Sequence, residues 1–140
     1  MQITASAISL NVEDPRASAD FLTEHFDFQE QMAAEGFVSL SRTDAGFNLV
    51  YLKLGLETFK PAALAGRPAD GLLLVFEVGD IDAEYERLLR AGVEMTTPIE
   101  TEDWGERFFQ VTDPCGIVVQ LVQWVSPPPS SSTPNPGAAD

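Results

Sequence analysis

The feature that most constrains the fold of this chain is an internal repeat. Asn11-Val12-Glu13-Asp14 lines up with Glu77-Val78-Gly79-Asp80 at an offset of 66 residues, and Gly46 lines up with Gly116 at an offset of 70. The difference between the two offsets falls between a predicted helix and a predicted turn, where a loop can absorb it. The sequence therefore predicts two copies of one strand-helix-strands unit.

Each copy carries the same order of local signals. In the first, Asp14 is a good N-cap and Pro15 suits the first helical position, which predicts a helix over residues 15–26. In the second, Asp80 begins a helix over residues 81–91 that Gly92 ends. The predicted strands, from apolar runs bounded by turn formers, are residues 5–12, 37–41, 47–54, 72–78, 107–112 and 117–125.

The length of 140 residues favours a single domain over residues 1–125. The remaining segment, SPPPSSSTPNPGAAD over residues 126–140, is rich in Pro and Ser. Such a segment buries too little apolar surface to offset the entropy of ordering it. We therefore expect a disordered tail.

The charge of the chain excludes two classes of partner. With 8 basic and 22 acidic residues the formal charge is −14, which repels nucleic acid backbones and anionic membranes. The acidity favours a cationic ligand, although a solvated acidic surface that aids solubility is the simpler explanation. The amino terminus shows no signal peptide and Cys115 is the single cysteine, so we expect a cytoplasmic protein without an internal disulfide.

Three stretches carry a resemblance to a known family: ISLNVEDPRASADFL, VFEVGDIDAEYERLLRAGV and WGERFFQVTDPCGIVVQLV. Over residues 3 to about 125 the chain resembles the glyoxalase, bleomycin-resistance and extradiol-dioxygenase superfamily, also called vicinal oxygen chelate proteins. The resemblance implies an α+β fold of two βαβββ units, about residues 3–55 and 70–125, that form a half-barrel cup. It also implies a homodimer. The fold hosts several chemistries, so function must be argued from the site.

Enzymes of this family hold a divalent metal with His, Gln or Glu side chains at four strand positions. The resemblance places these positions on Ala7, Val50, Leu73 and Gln120. Three of the four have no donor atom, and shifting the register by one residue does not restore a metal site. The only histidine, His25, falls on the first helix, and we expect it at the surface. We therefore predict no metal or other cofactor, with Gln120 as a hydrogen-bonding group on the cup wall.

A metal-free cup is typical of the antibiotic-binding branch of the family. Trp104-Gly105-Glu106-Arg107 resembles the Trp-Gly-x-Arg segment beside the ligand groove in that branch, where the indole can stack on a planar ring. Packing at a dimer seam is the alternative for Trp104. Trp124, at the end of the last strand, has the same two alternatives.

Further candidates follow from strand alternation. If Val50 faces the cup, so does Asn48, and Phe37 and Ser39 belong to a mixed face suited to a cavity. Phe59 lies in a long connection, residues 55–71, that could fold over the mouth. Core or loop packing remains the alternative for each. The predicted ligand-binding residues are Phe37, Ser39, Asn48, Phe59, Trp104, Arg107, Phe109 and Gln120.

No catalytic constellation is evident in the sequence. It contains no paired His and carboxylate, no Ser or Cys beside a base, and no phosphate-binding glycine loop. The sequence therefore favours a metal-free protein that sequesters a planar or aromatic antibiotic. The alternative is a vicinal-oxygen-chelate enzyme, a lyase, isomerase or dioxygenase with a non-standard site, in which Glu77 could act as a base. A structural relative without a ligand is a third possibility.

Overall fold

The computed structural model describes residues 1–125, so the predicted tail lies outside the described residues. The elements are β1 (Ala7–Val12), α1 (Pro15–Phe26), β2 (Gln29–Ala34), β3 (Phe37–Ser41), β4 (Asn48–Lys53), β5 (Leu73–Glu77), α2 (Ile81–Arg90), β6 (Met95–Thr101), β7 (Glu106–Thr112) and β8 (Val118–Trp124). A short 3-10 helix, Ala62–Leu64, lies between β4 and β5. This order is βαβββ twice, and it confirms the predicted α+β fold.

The chain divides into two compact units. Unit 1 comprises Met1–Leu72 together with the turn Asp113–Ile117, and unit 2 comprises Leu73–Thr112 together with the chain from Val118. The sheet of unit 1 has the strand order β1-β4-β3-β2, and that of unit 2 has the order β5-β8-β7-β6. In each sheet the first strand runs parallel to the last strand of its unit, and the other pairs are antiparallel.

Both predicted helices are confirmed, and their ends have local causes. The Asp14 carboxylate accepts a hydrogen bond from the Ala17 N–H at 3.1 Å, and α1 ends where Asp27 adopts a left-handed φ of 56°. The Asp80 carboxylate caps α2 in the same way, accepting from the Ala83 N–H at 3.1 Å. Helix α2 ends at Arg90, one residue before the predicted end.

Each helix packs on one face of its own sheet. In unit 1 the side chains buried on the α1 side of the sheet are Leu10, Val12, Val38, Leu40, Leu49 and Tyr51. In unit 2 the buried side chains on the α2 side are Leu74, Phe109, Val111, Val119 and Leu121. Because side chains alternate along a strand, the residues between these point to the opposite side of each sheet, which we call the open face.

Two strands, β2 and β6, were not among the predicted ones. All six residues of β2 are exposed, and β6 alternates exposed with half-buried residues around Pro98. Both strands lie at a sheet edge, where one side of the strand has no neighbour and neither apolar alternation nor a buried run is required. None of the helices described is long and apolar enough to cross a bilayer.

Candidate functional site

The open face of unit 1 is mostly small and polar. Ser39 of β3 lies opposite Val50 of β4, which in turn lies opposite Ser9 of β1, and Asn48 lies opposite Ala7. The hydroxyls of Ser9 and Ser39 and the amide of Asn48 make no side-chain hydrogen bond within residues 1–125. Phe37, at the far end of β3, is half-buried on the same face. These polar groups are therefore available to a ligand.

A cavity of about 320 Å³ adjoins one end of this open face. Its polar lining comes from Ser6, Ser41, Arg42, Thr43 and Asn48. The guanidinium of Arg42 is already engaged, since it donates to the Asp44 carboxylate at 2.6 Å and to the Phe26 carbonyl. The Arg42 guanidinium also lowers the pKa of Asp44 through that hydrogen bond. Asn48 and Ser41 thus connect the cavity to the open face.

The long connection of residues 55–71 is fixed to the other end of β1. The Asn11 side-chain amide donates to the carbonyls of Leu64 at 3.1 Å and Arg67 at 3.0 Å, and the Ala69 N–H donates to the Asn11 carbonyl at 2.8 Å. Phe59 is half-buried in this connection. Asn11 was not among the predicted residues, although its place on the open face follows from alternation with Leu10 and Val12.

The open face of unit 2 combines two glutamines with exposed apolar side chains. The Gln110 Nε2 donates to the Gln120 Oε1 at 2.8 Å across the β7–β8 pair. Val75, directly opposite Gln120 on β5, is 47% exposed, and Leu73 is 48% exposed. Gln110 could have been found from the sequence only by first fixing the register of its strand against Gln120.

One end of this open face carries two tryptophans and a carboxylate. The Trp104 Nε1 donates to the Glu106 Oε1 at 3.3 Å. Trp124 of β8 lies directly opposite Glu106 of β7. All three side chains are half-buried. We call Trp104, Glu106 and Trp124 the Trp–Glu–Trp cluster.

Two predicted ligand-binding residues lie on the helix-covered side of unit 2 instead. The Arg107 guanidinium donates to the Asp82 carboxylate of α2, with its shortest contact at 2.7 Å, and this hydrogen bond lowers the pKa of Asp82. Phe109 is fully buried and packs edge-to-face on Tyr85 with ring centroids 5.0 Å apart. Arg107 and Phe109 lie on the helix-covered side because side chains alternate along β7, and their neighbours along the strand point to the open face.

The residues at the family's metal positions do not fit a divalent metal. Ala7 and Val50 lie on the open face of unit 1, and Leu73 and Gln120 lie on that of unit 2, but only Gln120 has a donor atom, and that oxygen already accepts from Gln110. Within residues 1–125 no three His, Cys, Asp or Glu side chains group closely enough to hold a metal ion.

His25 and Glu77, the two titratable side chains discussed in the sequence analysis, lie apart from the family's metal positions. His25 is half-buried on α1, with its ring 5.1 Å from that of Phe21 in an edge-to-face contact. Glu77 is exposed at the end of β5, opposite Val122. Neither residue forms part of a paired acid and base in the described chain.

Comparison with known proteins identifies the family. The model of the glyoxalase/bleomycin resistance protein/dioxygenase superfamily matches residues 4–121. The chain therefore belongs to that superfamily.

The curated relatives are mycobacterial. An uncharacterized protein of Mycobacterium bovis is 29% identical over 116 residues, which is 76% of this chain and 74% of the relative. An uncharacterized protein of Mycobacterium tuberculosis matches at the same identity over 66% of its length, so the match spans just under two thirds of that relative.

Several solved structures share the fold. A glyoxalase/bleomycin resistance protein/dioxygenase from Nocardioides has a TM-score of 0.74 at 25% identity, covering 100% of this chain and 91% of that one. TioX from Micromonospora sp. ML1 has a TM-score of 0.67 at 19% identity, covering 87% and 99%. Lactoylglutathione lyase from Agrobacterium tumefaciens has a TM-score of 0.68 at 15% identity, covering 87% and 94%. The last two show the fold alone.

Proposed function

We propose that this protein binds a planar, partly aromatic small molecule, an antibiotic, without a metal, and confers resistance by sequestering the molecule unchanged. The observation that carries the proposal is the make-up of the open faces. Three of the four positions that hold metal ligands in enzymes of the family are apolar here, while hydrogen-bonding and aromatic side chains remain around them.

The open face of unit 2 supports the binding of a flat ring. Leu73 and Val75 are nearly half exposed, and burying them against a ligand removes apolar surface from water at about 25 cal/mol per Å². Trp104 adds an indole, whose stacking on an aromatic ring contributes about 0.5–1.5 kcal/mol beyond area burial. The Gln110–Gln120 pair leaves one amide N–H₂ and one carbonyl oxygen with capacity to orient a polar ligand atom.

The open face of unit 1 supports the recognition of polar groups. Ser9, Ser39 and Asn48 offer two hydroxyls and an amide that have no partner in the described chain. Each net hydrogen bond to a ligand contributes about 0.5–1.5 kcal/mol, and more if the ligand atom is charged. This face therefore adds specificity more than affinity.

The test is calorimetric titration with bleomycin-like, mitomycin-like and enediyne-like compounds, followed by mass spectrometry of the recovered ligand. We expect one class to bind and to return with its mass unchanged. For variants that remove an apolar side chain from the open face, Leu89→Ala is the control. Leu89 is 43% exposed on α2, on the helix side of unit 2. A chemically altered ligand would support the enzyme alternative and overturn sequestration.

We also propose that the protein is a cytoplasmic homodimer. A second copy would cover the free edges of β2 and β6. It would also cover apolar surface that the exposed side chains of Ile8, Leu73 and Val75 present to water. Sedimentation at tens of micromolar is expected to give twice the chain mass of 15.2 kDa. A monomer at that concentration would contradict the dimer.

A further inference from the structure

The Glu106 carboxylate has unused hydrogen-bonding capacity on the open face of unit 2. It accepts one long hydrogen bond, 3.3 Å from the Trp104 Nε1. A carboxylate offers about four lone-pair sites, so most of its acceptor capacity remains free. Glu106 is only half-buried, which leaves the carboxylate accessible from outside.

No cation of the described chain neutralises Glu106. Arg107 is adjacent in sequence but points to the opposite side of β7, where it is held by Asp82 and by the Thr101 hydroxyl at 2.9 Å. No other Lys, Arg or His side chain within residues 1–125 lies within ion-pair distance of Glu106. An external cation would therefore meet no competing ion-pair partner for this carboxylate among the described residues.

Two indoles lie next to the carboxylate and can contribute to the same recognition. Trp124 lies opposite Glu106, where paired Cβ atoms are about 5 Å apart, and Trp104 is joined to Glu106 by its hydrogen bond. Neither indole has a ring contact with another aromatic side chain of the described residues. Indole is the strongest cation–π partner among the side chains.

We infer that the Trp–Glu–Trp cluster is a subsite for an organic cation, an alkylammonium group carried by the ligand. Indole faces favour a weakly hydrated organic cation, whereas a divalent metal ion needs several oxygen or nitrogen donors that the cluster lacks. The net charge of −14 adds a long-range attraction for cations. The ligand that would carry this group rests on the proposed function, but the subsite can be tested by itself.

The test uses choline and its neutral isostere, 3,3-dimethyl-1-butanol, with the indole N–H signals of Trp104 and Trp124 followed by NMR. We expect choline to shift both signals in the 140-residue chain, and the neutral alcohol to bind at least roughly fivefold more weakly because it lacks the charge. Glu106→Gln keeps an acceptor for the Trp104 N–H and should weaken choline binding by a similar factor of roughly five or more.

Glu86→Gln is the matched control, since it removes one carboxylate from an exposed position on α2. It should leave choline binding within about twofold of the original, because an exposed charge at a distance is screened by salt. Three results would each overturn the subsite: equal binding of choline and the alcohol, normal choline binding by Glu106→Gln, or unmoved indole signals at tens of millimolar choline.

The outcomes also separate this inference from the proposed function. If choline binds as expected but no compound of the antibiotic panel binds, the proposed function fails and the subsite stands. If an antibiotic binds equally well to the original protein and to Glu106→Gln while choline binds neither, the subsite fails and sequestration stands.

Discussion

The two units share one topology and differ on their open faces. Strand order, parallel pairing and helix position correspond between them, and each buries a large aromatic side chain on its helix-covered face, Tyr51 in unit 1 and Phe109 in unit 2. The open faces have diverged. That of unit 1 is lined by small polar side chains beside a cavity, whereas that of unit 2 carries exposed aliphatic residues, paired glutamines and the Trp–Glu–Trp cluster.

The difference shows which part of a duplicated unit is constrained by folding. The helix-covered face must stay apolar and close-packed, because losing buried contacts costs several kcal/mol. Residues of the open face are freer to change without cost to the core. We therefore expect substitutions on helix-covered faces to change stability, and substitutions on open faces to change ligand binding, with unit 2 contributing more affinity than unit 1.

The largest effect is expected at Phe109. Phe109→Ala should lower the free energy of unfolding by about 3–5 kcal/mol, since it opens a cavity against Tyr85. Phe108→Ala, one residue earlier and on the open face, should cost much less. Urea unfolding of both variants measures the contrast. Equal losses would show that β7 has no distinct core face.

Tyr51 should make unit 1 sensitive to alkali. Burial, and then the charges of Asp113 and Cys115, raise the pKa of the Tyr51 hydroxyl far above its ordinary value. The unfolded chain releases this proton near pH 10 while the folded chain retains it, so stability present below pH 10 falls by about 1.4 kcal/mol per pH unit above it.

Tyr51→Phe should remove that alkaline loss. At neutral pH its free energy of unfolding should stay within about 1 kcal/mol of the original, because the buried hydroxyl has no hydrogen-bond partner in the described chain. Denaturant unfolding at pH 7 and pH 11 measures both effects. If the original protein and the variant lose stability equally between these pH values, Tyr51 does not carry the dependence.

On the open face of unit 2, Trp104→Ala should weaken ligand binding by about 1–3 kcal/mol, in the range of an aromatic anchor. Calorimetry with the compound identified from the antibiotic panel measures the loss. Leu89→Ala should bind normally, since its side chain lies on the helix side. Unchanged affinity in Trp104→Ala would show that the Trp104 indole does not contribute to ligand binding.

Smaller effects are expected for the amides. Gln120→Leu should cost about 0.5–1.5 kcal/mol of binding, one net hydrogen bond, and Asn48→Ala on unit 1 should cost no more than that. Both losses follow from the same titration. If Asn48→Ala weakened binding more than Trp104→Ala, unit 1 would be the main source of affinity and the contrast between the units would be reversed.

Much of the fold was predictable from local signals. Asp14-Pro15 and Asp80 begin helices for reasons contained in a few residues, and the central strands are buried enough to show in the hydropathy pattern. The edge strands β2 and β6 gave no such signal, because their side chains face solvent. Their presence followed only from the family resemblance, which implies three strands after each helix.

A residue could be assigned to an open face from the sequence only where a neighbour on the same strand had a known facing, because side chains alternate along a strand. Asn48 follows from Val50, and it does lie on the open face of unit 1. Arg107 and Phe109 had no such reference in the sequence, and they lie on the helix-covered side. Glu106 and Gln110 gain their neighbours through strand pairing, and that long-range register is not contained in the local sequence.

Metal analysis of the purified protein tests the central claim most directly. We predict no stoichiometric zinc, nickel, iron or manganese, and the same ligand affinity before and after treatment with a chelator, because Ala7, Val50 and Leu73 supply no donor atoms. One equivalent of a divalent metal, removed by the chelator together with ligand binding or turnover, would contradict metal-free sequestration.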